Sequence, residues 1–261
     1  MRSLGLCLFL SALALAAPAR AADCAADNRT RVKAGEECLV IQAYGEPAEK
    51  TKLVIFIHGD GSSGGPSDYL YKTAKTFGRD GVVAVGLIRP GYFDKNDNHS
   101  SGDGYRSGDG YRADVIATVA AAIATLKAHY KAERVVLAGH SGGAAISAVI
   151  LGKHPGLVDA VVLAACPCNV PEWRTQRRGT NTWTWSLSPH DFVAGIPAGA
   201  EIVAVTGEKD TNTKSVIAKG YVEQANARGI KAEFIEVPGA SHNASARSQE
   251  FKDAVGRLIG G

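Results

Sequence analysis

The chain has 261 residues and a formal net charge of +3, with 29 basic side chains against 26 acidic ones. Only Arg2 and Arg20 are charged within the first 21 residues, so residues 22–261 carry a formal charge of +1. Such a balance excludes the basic surface expected of a protein that binds nucleic acid or an anionic membrane, and the length suits one α/β domain.

The first 21 residues have the pattern of a secretory signal peptide. An apolar run over 4–17 is followed by Ala19-Arg20-Ala21, an A-x-A cleavage pattern. The run is too short to cross a bilayer, and no later stretch reaches transmembrane length. The sequence therefore predicts a secreted or periplasmic protein with a single domain over 22–261, and it leaves the oligomeric state open.

Four cysteines follow the predicted cleavage site, in a compartment that favours disulfides. Four cysteines allow three pairings. We favour Cys24 with Cys38, which would hold the new N-terminus against the first strands. Cys166 and Cys168 are separated by one proline and could bond to each other only in a small strained ring. Without CxxC spacing or a nearby histidine, we predict no metal site at these cysteines.

Apolar segments alternate between strand and helix patterns, as in an α/β domain with a mainly parallel sheet. The continuous apolar run 52–57 is typical of a strand buried on both faces. The predicted strands cover 31–32, 38–44, 52–57, 81–88, 134–138, 158–165, 202–206 and 232–237. The predicted helices cover 67–77, 109–130, 143–153, 213–228 and 244–259.

One irregular insertion, 92–110, contains the segment Ser-Gly-Asp-Gly-Tyr-Arg twice in tandem. We expect it to form a loop at the rim of a site. Asp94 and the alternating asparagines after it resemble the start of a calcium loop. However, His99 stands where such a loop requires glycine, and Tyr105 stands where it requires glutamate.

A second insertion, 166–192, falls where lids over a substrate cleft are often placed. It holds three tryptophans, of which Trp183 and Trp185 are the candidate substrate-binding residues. Because these two lie two positions apart, only one of them would face the cleft in an extended segment.

The candidate nucleophile is Ser141, in the sequence Gly139-His140-Ser141-Gly142-Gly143. This sequence joins the predicted strand 134–138 to the predicted helix that begins at 143. A serine between a strand and a helix, flanked by glycines, is the pattern of a nucleophile elbow. The glycines allow close backbone approach, and the helix N-terminus favours negative charge that develops beside the serine. His140 is expected to shape the substrate pocket.

A serine nucleophile needs a base, and the base needs an acid that orients it. Asp210 follows the predicted strand 202–206, and His242 follows the strand 232–237. Both side chains should emerge at the same edge of the sheet as Ser141. Glu208 is the competing acid, and Asp210 could alternatively cap the next helix.

Two backbone N–H groups are the candidate donors to an oxyanion. The first is that of Gly142, and the second is that of Asp60, with Gly61 as the alternative. We expect His58 to brace this loop by hydrogen bonding. If the Asp60 side chain points inward, it should disfavour anionic acyl groups.

These motifs together resemble the α/β-hydrolase superfamily over nearly the whole of 22–261. The residues that carry the resemblance are His58-Gly59, Arg89-Pro90-Gly91, Gly139 to Gly143, Asp210 and His242. The resemblance implies a mainly parallel eight-stranded sheet with helices on both faces and a short lid-like insertion. It also implies an acyl-enzyme mechanism without a cofactor. Asp60-Gly61 departs from the glycine-rich sequences that many carboxylesterases and related peptidases have there.

Our hypothesis is a serine hydrolase that cleaves small carboxylic esters. The alternative within enzymes is a peptidase or amidase of the prolyl-oligopeptidase type acting on short peptides. The alternative from another class is a binding protein with the same fold and no catalysis.

Overall fold

A computed structural model of the chain describes residues 24–61, 64–104, 110–182 and 185–260. The predicted signal peptide, part of the duplicated segment and Trp183 lie outside the described residues.

Eight strands form one sheet in the order β1-β2-β4-β3-β5-β6-β7-β8. The pairs β1–β2 and β2–β4 are antiparallel, and the remaining five pairs are parallel. The predicted mainly parallel, eight-stranded α/β-hydrolase architecture is therefore confirmed. The strands are β1 (Arg31–Ala34), β2 (Glu37–Tyr44), β3 (Lys52–Ile57), β4 (Val82–Leu87), β5 (Arg134–His140), β6 (Ala160–Ala164), β7 (Glu201–Gly207) and β8 (Lys231–Val237).

Helices cover both faces of the sheet. They are α1 (Tyr71–Phe77), α2 (Ala113–His129), α3 (Gly142–Lys153), α4 (Val170–Arg178), α5 (Ser215–Asn226), α6 (His242–Ser245) and α7 (Gln249–Leu258). Alternate side chains of β3 point to opposite faces, as the pleat requires. Leu53 and Ile55 pack in the core cluster that includes α2, α3 and α5, whereas Val54 and Phe56 pack in the cluster with α1 and α7.

Three differences between the predicted and the observed helices have a local cause in the structure. The first predicted helix begins at Tyr71 and not at residue 67, because the Ser67 N–H bonds to the Phe93 carbonyl and holds that stretch in a loop. The insertion 166–192 contains α4, whose N-cap Asn169 accepts from the Glu172 N–H. The predicted helix 244–259 divides into α6 and α7, because Ser248 caps a new helix.

The structure pairs Cys24 with Cys38 and Cys166 with Cys168. The first pair is the one favoured from the sequence. The second closes the small ring across the intervening proline, and both of its cysteines are buried.

The Asp94 carboxylate is engaged by its own loop. It accepts hydrogen bonds from the N–H groups of Asn96 and Asn98 and from the side-chain amide of Asn98. Across the described residues, no group of three or more His, Cys, Asp or Glu side chains is placed to hold a metal ion. In those same segments, no helix has both the length and the apolar character to cross a membrane.

Candidate active site

Ser141 lies in a strained turn between β5 and α3. Its φ of 52° and ψ of −119° are unusual for a residue with a side chain. The Ser141 N–H bonds to the Ala164 carbonyl at 2.8 Å, which ties the turn to β6. A Cβ on Gly139 would lie 2.5 Å from the Gly143 oxygen, and one on Gly143 would collide with the Ile57 carbonyl. Both flanking glycines are therefore required by close backbone approach, as the motif predicts.

His242 lies between Ser141 and Asp210. Its Nε2 is 3.0 Å from the Ser141 Oγ, and its Nδ1 is 2.9 Å from the Asp210 Oδ2. Three residues from distant parts of the sequence are thus joined in one hydrogen-bonded row. They meet because β5, β7 and β8 are parallel and their carboxyl ends share one edge of the sheet.

Asp210 is held by its own loop as well as by the imidazole. Its Oδ1 accepts from the N–H groups of Asn212 and Thr213 at 2.8 and 2.9 Å. Burial opposes ionisation of this carboxyl, but the contacts with His242 and Thr213 outweigh burial and lower the pKa of Asp210 below its usual value. The competing acid Glu208 accepts from the Gly239 N–H instead.

Thr213 contacts Asp210 and His242, although the sequence pattern indicated only that a helix starts there. Its Oγ1 lies 2.8 Å from the Asp210 Oδ2, 3.0 Å from the Ala165 oxygen and 3.1 Å from the His242 Nδ1. The hydroxyl therefore contacts both the candidate acid and the candidate base. Its signal in the sequence is a threonine three positions after the candidate acid.

The two residues that carry the predicted oxyanion donors lie next to each other. Neither the Gly142 N–H nor the Asp60 N–H has an acceptor among the residues that the structure describes. A Cβ on Gly142 would be 2.5 Å from the Asp60 Oδ1, so the two residues are in contact. Both N–H groups are therefore free to donate to a substrate oxygen.

The Asp60 carboxylate is compensated by a buried cation. Its Oδ1 accepts from the Arg89 Nη1 at 2.8 Å, and its Oδ2 accepts from the Tyr111 hydroxyl at 2.8 Å. Burial opposes the charge on Arg89, but Tyr92 and Asp60 outweigh it and raise the pKa of this guanidinium. The expected repulsion of anionic acyl groups by Asp60 is thus reduced by its own partners.

His140 connects the two sides of the site. The Gly59 N–H donates to the Tyr69 hydroxyl at 2.7 Å, and that hydroxyl donates to the His140 Nδ1 at 2.7 Å. The His140 Nε2–H in turn donates to the His242 carbonyl at 3.2 Å. Burial lowers the pKa of His140 to about 3, so the ring is neutral and its single proton sits on Nε2.

His58 braces the oxyanion loop from below. Its Nδ1–H donates to the Gly59 carbonyl at 2.7 Å, and its Nε2 accepts from the Arg89 N–H at 2.9 Å. Burial, together with the charge of Arg89, lowers the pKa of His58 to about 3. This neutral imidazole therefore links two loops as a fixed donor and acceptor.

A cleft of about 490 Å³ opens above Ser141. Among the residues that the structure describes, the tryptophan that lines it is Trp173, on α4. Trp185 is 57% exposed and is not among the lining residues, in contrast to its predicted role. The lining residues are Gly59, Asp60, Gly61, Gly65, Pro66, Ser67, Tyr69, His140, Ser141, Trp173, Arg177, Arg178, Asn212, His242, Asn243 and Arg247.

The sequence also matches a known family. The model of the alpha/beta hydrolase fold family matches residues 52–184, which is about half of the chain. No curated protein has a significant sequence match to the chain.

Several solved structures are similar to this chain in fold. Est1E from Butyrivibrio proteoclasticus, determined with ferulic acid bound, is 15% identical, with 88% of this chain and 99% of that chain covered and a TM-score of 0.65. Pyrococcus furiosus esterase Pf2001 is 18% identical, with 88% of each chain covered and a TM-score of 0.64. Pyrococcus horikoshii acylaminoacyl peptidase is 15% identical, with 87% of this chain but 39% of that chain covered and a TM-score of 0.62.

Proposed function

The chain belongs to the α/β-hydrolase fold family, and we propose that it is a serine hydrolase that cleaves carboxylic esters through an acyl-enzyme. The observation that carries this proposal is the hydrogen-bonded row of Asp210, His242 and Ser141, with contacts of 2.9 and 3.0 Å. Such a row gives a serine the base that it needs and gives the base the acid that orients it.

Each member of the row has a separate role in the proposed reaction. The Ser141 Oγ attacks the ester carbonyl while the His242 Nε2 takes its proton. The same imidazole then delivers the proton to the leaving alcohol. Asp210 accepts from Nδ1–H, which keeps Nε2 free to act as the base. Water repeats the sequence on the acyl-enzyme and releases the acid.

The charge that develops on the carbonyl oxygen would be stabilised by the N–H groups of Gly142 and Asp60. Both lack an acceptor within the described residues, and Gly142 opens the 12-residue helix α3, whose dipole favours negative charge there. A donor of this kind contributes roughly 10²–10³ in rate.

The first experiment compares Ser141→Ala with Ser147→Ala, which removes another buried hydroxyl, on the helix α3 that follows Ser141. Ser141→Ala should abolish turnover of p-nitrophenyl acetate and labelling by a fluorophosphonate probe, with an unchanged circular dichroism spectrum. Ser147→Ala should keep both activities. Turnover that persists in Ser141→Ala refutes the mechanism, and a wild-type protein that stays unlabelled favours a non-catalytic binding protein.

Ester and amide cleavage remain to be separated. A structural neighbour is an esterase and another is an acylaminoacyl peptidase, so both chemistries occur on this fold. We favour esters because the match covers 88% of the chain of esterase Pf2001 but 39% of the chain of the acylaminoacyl peptidase. A comparison of kcat/KM for acyl esters and for short proline-containing peptide amides decides between them.

We also propose that the protein is exported, with cleavage near Ala21 and two disulfides, Cys24–Cys38 and Cys166–Cys168. The apolar run before Ala19-Arg20-Ala21 and the paired cysteines support this. Mass spectrometry of the exported protein should find an N-terminus near residue 22. Thiol titration under denaturing conditions should find no free thiol before reduction and four after it.

A further inference from the structure

Arginine side chains are concentrated in the lining of the cleft. Arg177, Arg178 and Arg247 all line it. Among the described residues, Asp60 is the one acidic side chain in the lining, and its carboxylate is paired with Arg89 at 2.8 Å. Arg177 and Arg247 therefore give the described part of the lining a positive charge, although residues 22–261 are close to neutral.

Arg177 is held beside the loop of the acid. It lies near the end of α4, and its Nη1 donates to the Asn212 side-chain oxygen. The Trp173 Nε1–H donates to the Asn212 carbonyl at 3.0 Å, which fixes α4 against this loop. Because Asn212 is neutral, its hydrogen bond orients the Arg177 guanidinium without compensating the charge.

Arg247 is placed on the loop of the base. It lies between α6 and α7, a short distance after His242, and it lines the same cleft. No carboxylate contacts its guanidinium in the part of the chain that the structure describes. Its positive charge contributes to the lowered pKa of His140, behind burial and the charge of His242, so it lies within electrostatic reach of that ring.

The position of these two arginines indicates which part of an ester they would contact. His242 delivers a proton to the leaving group, so the leaving alcohol must lie on the side of the base. Arg177 bonds to Asn212 in the loop of Asp210, and Arg247 follows the helix α6 that begins at His242, whereas Asp60 contacts Gly142. An anionic group on the alcohol would meet two arginines and would stay away from the carboxylate of Asp60.

We propose that the cleft selects esters whose leaving alcohol carries an anionic oxygen group, bound by Arg177 and Arg247. A carboxylate matches the planar fork of a guanidinium and accepts two of its N–H groups. This inference rests on the proposed ester hydrolysis and names the substrate class of that same site.

The first test uses matched pairs of small esters. On the leaving-group side, 4-acetoxybenzoate is compared with 4-acetoxybenzamide, each rate being divided by the rate of alkaline hydrolysis of the same ester. On the acyl side, mono-4-nitrophenyl glutarate is compared with 4-nitrophenyl valerate in the same way. The ratio of kcat/KM should be about 10 to 100 in favour of the charged ester in the first pair and about 1 in the second. The first ratio should fall with added salt, because the arginines are exposed.

The second test removes one charge at a time. Arg177→Gln and Arg247→Gln should each lower the ratio of the first pair about three- to tenfold. Arg228→Gln, an exposed arginine that does not line the cleft, should leave the ratio unchanged. A wild-type ratio near 1, a preference confined to the acyl-side pair, or variants that keep the wild-type ratio would each overturn the inference. If none of the four esters is hydrolysed, the proposed function fails instead.

Discussion

Replacing Asp60 by asparagine should destabilise the protein through the buried cation that Asp60 compensates. The Arg89 side chain is 1% exposed, and its Nη1 bonds to the Asp60 Oδ1 at 2.8 Å. Asparagine keeps the shape of the side chain but removes its charge. The guanidinium would then be buried beside a neutral amide, and a buried charge without its partner is strongly unfavourable.

The size of the effect follows from the contacts that remain. Loss of one partner of a buried ion pair typically costs about 3–5 kcal/mol. The amide oxygen can still accept one hydrogen bond, and the Arg89 guanidinium lies 5.0 Å from the centre of the Tyr92 ring, which offsets part of the loss. We therefore expect a loss of about 3 kcal/mol in the free energy of unfolding, or roughly 6–12 °C in Tm for a chain of this size.

A double-mutant cycle measures this coupling. Urea unfolding at pH 7, followed by tryptophan fluorescence, gives the free energies of wild type, Asp60→Asn, Arg89→Met and the double variant. Because the double variant leaves no unpaired charge, its loss should be smaller than the sum of the single losses by about 2 kcal/mol. Additive losses, or a loss below about 1 kcal/mol for Asp60→Asn, would refute the conclusion that the pair is a buried and mutually dependent unit.

Three further predictions concern the rest of the site. Burial lowers the pKa of His58 and of His140 to about 3 in the folded chain, whereas a histidine in the unfolded chain has a pKa near 6.5. Between these two values, both histidines bind a proton in the unfolded chain but not in the folded chain. Stability should be nearly complete above about pH 7.5 and should fall by about 3 kcal/mol per histidine by pH 4.5 in urea titrations. Gly142→Ala should lower kcat about 100-fold, because its Cβ would press on the fixed carboxylate of Asp60 and move one oxyanion donor. Thr213→Val should lower kcat about tenfold with little change in KM, because it removes the hydroxyl that contacts both acid and base.

Each of these predictions has a control that the structure supplies. His129→Gln changes an exposed histidine and should leave the dependence of stability on pH as in wild type. Gly256→Ala introduces a Cβ with no neighbour within 4 Å and should keep full activity. Thr213→Ser retains the hydroxyl and should restore most of kcat. A flat stability profile, an active Gly142→Ala variant or a wild-type rate in Thr213→Val would contradict the respective prediction.

The sheet was predictable because its sequence signals are local and redundant. The apolar run 52–57 occupies β3, and the strands that follow it alternate with helices. Helix boundaries depended on contacts that sequence patterns do not contain, such as the bond from the Ser67 N–H to the Phe93 carbonyl. The helix α4 did leave a signal, since Asn169 and Glu172 form a capping pair with Pro171 between them.

Residues at the ends of strands were found because the topology brings them to one edge. Ser141, Asp210 and His242 each follow a strand, so their meeting required only that the strands be parallel. The partners contributed by loops and by the insertion could not be found in this way. Trp173 lines the cleft and Trp185 does not, because α4 turns the first of them towards Asn212. No pattern in 166–192 encodes that choice.

A path of hydrogen bonds from Gly59 through Tyr69 and His140 to the His242 carbonyl connects two loops of the site. Each link has a fixed direction, because the Gly59 N–H must donate, the neutral His140 ring holds one proton, and the carbonyl can only accept. The loop that holds the oxyanion donor and the loop that holds the base are therefore coupled through uncharged groups. Protonation of His140 would change its Nδ1 from acceptor to donor, so the Tyr69 hydroxyl could no longer donate to it. The same burial that keeps the ring neutral thus maintains the hydrogen bonds between the loop of Gly59 and the loop of His242.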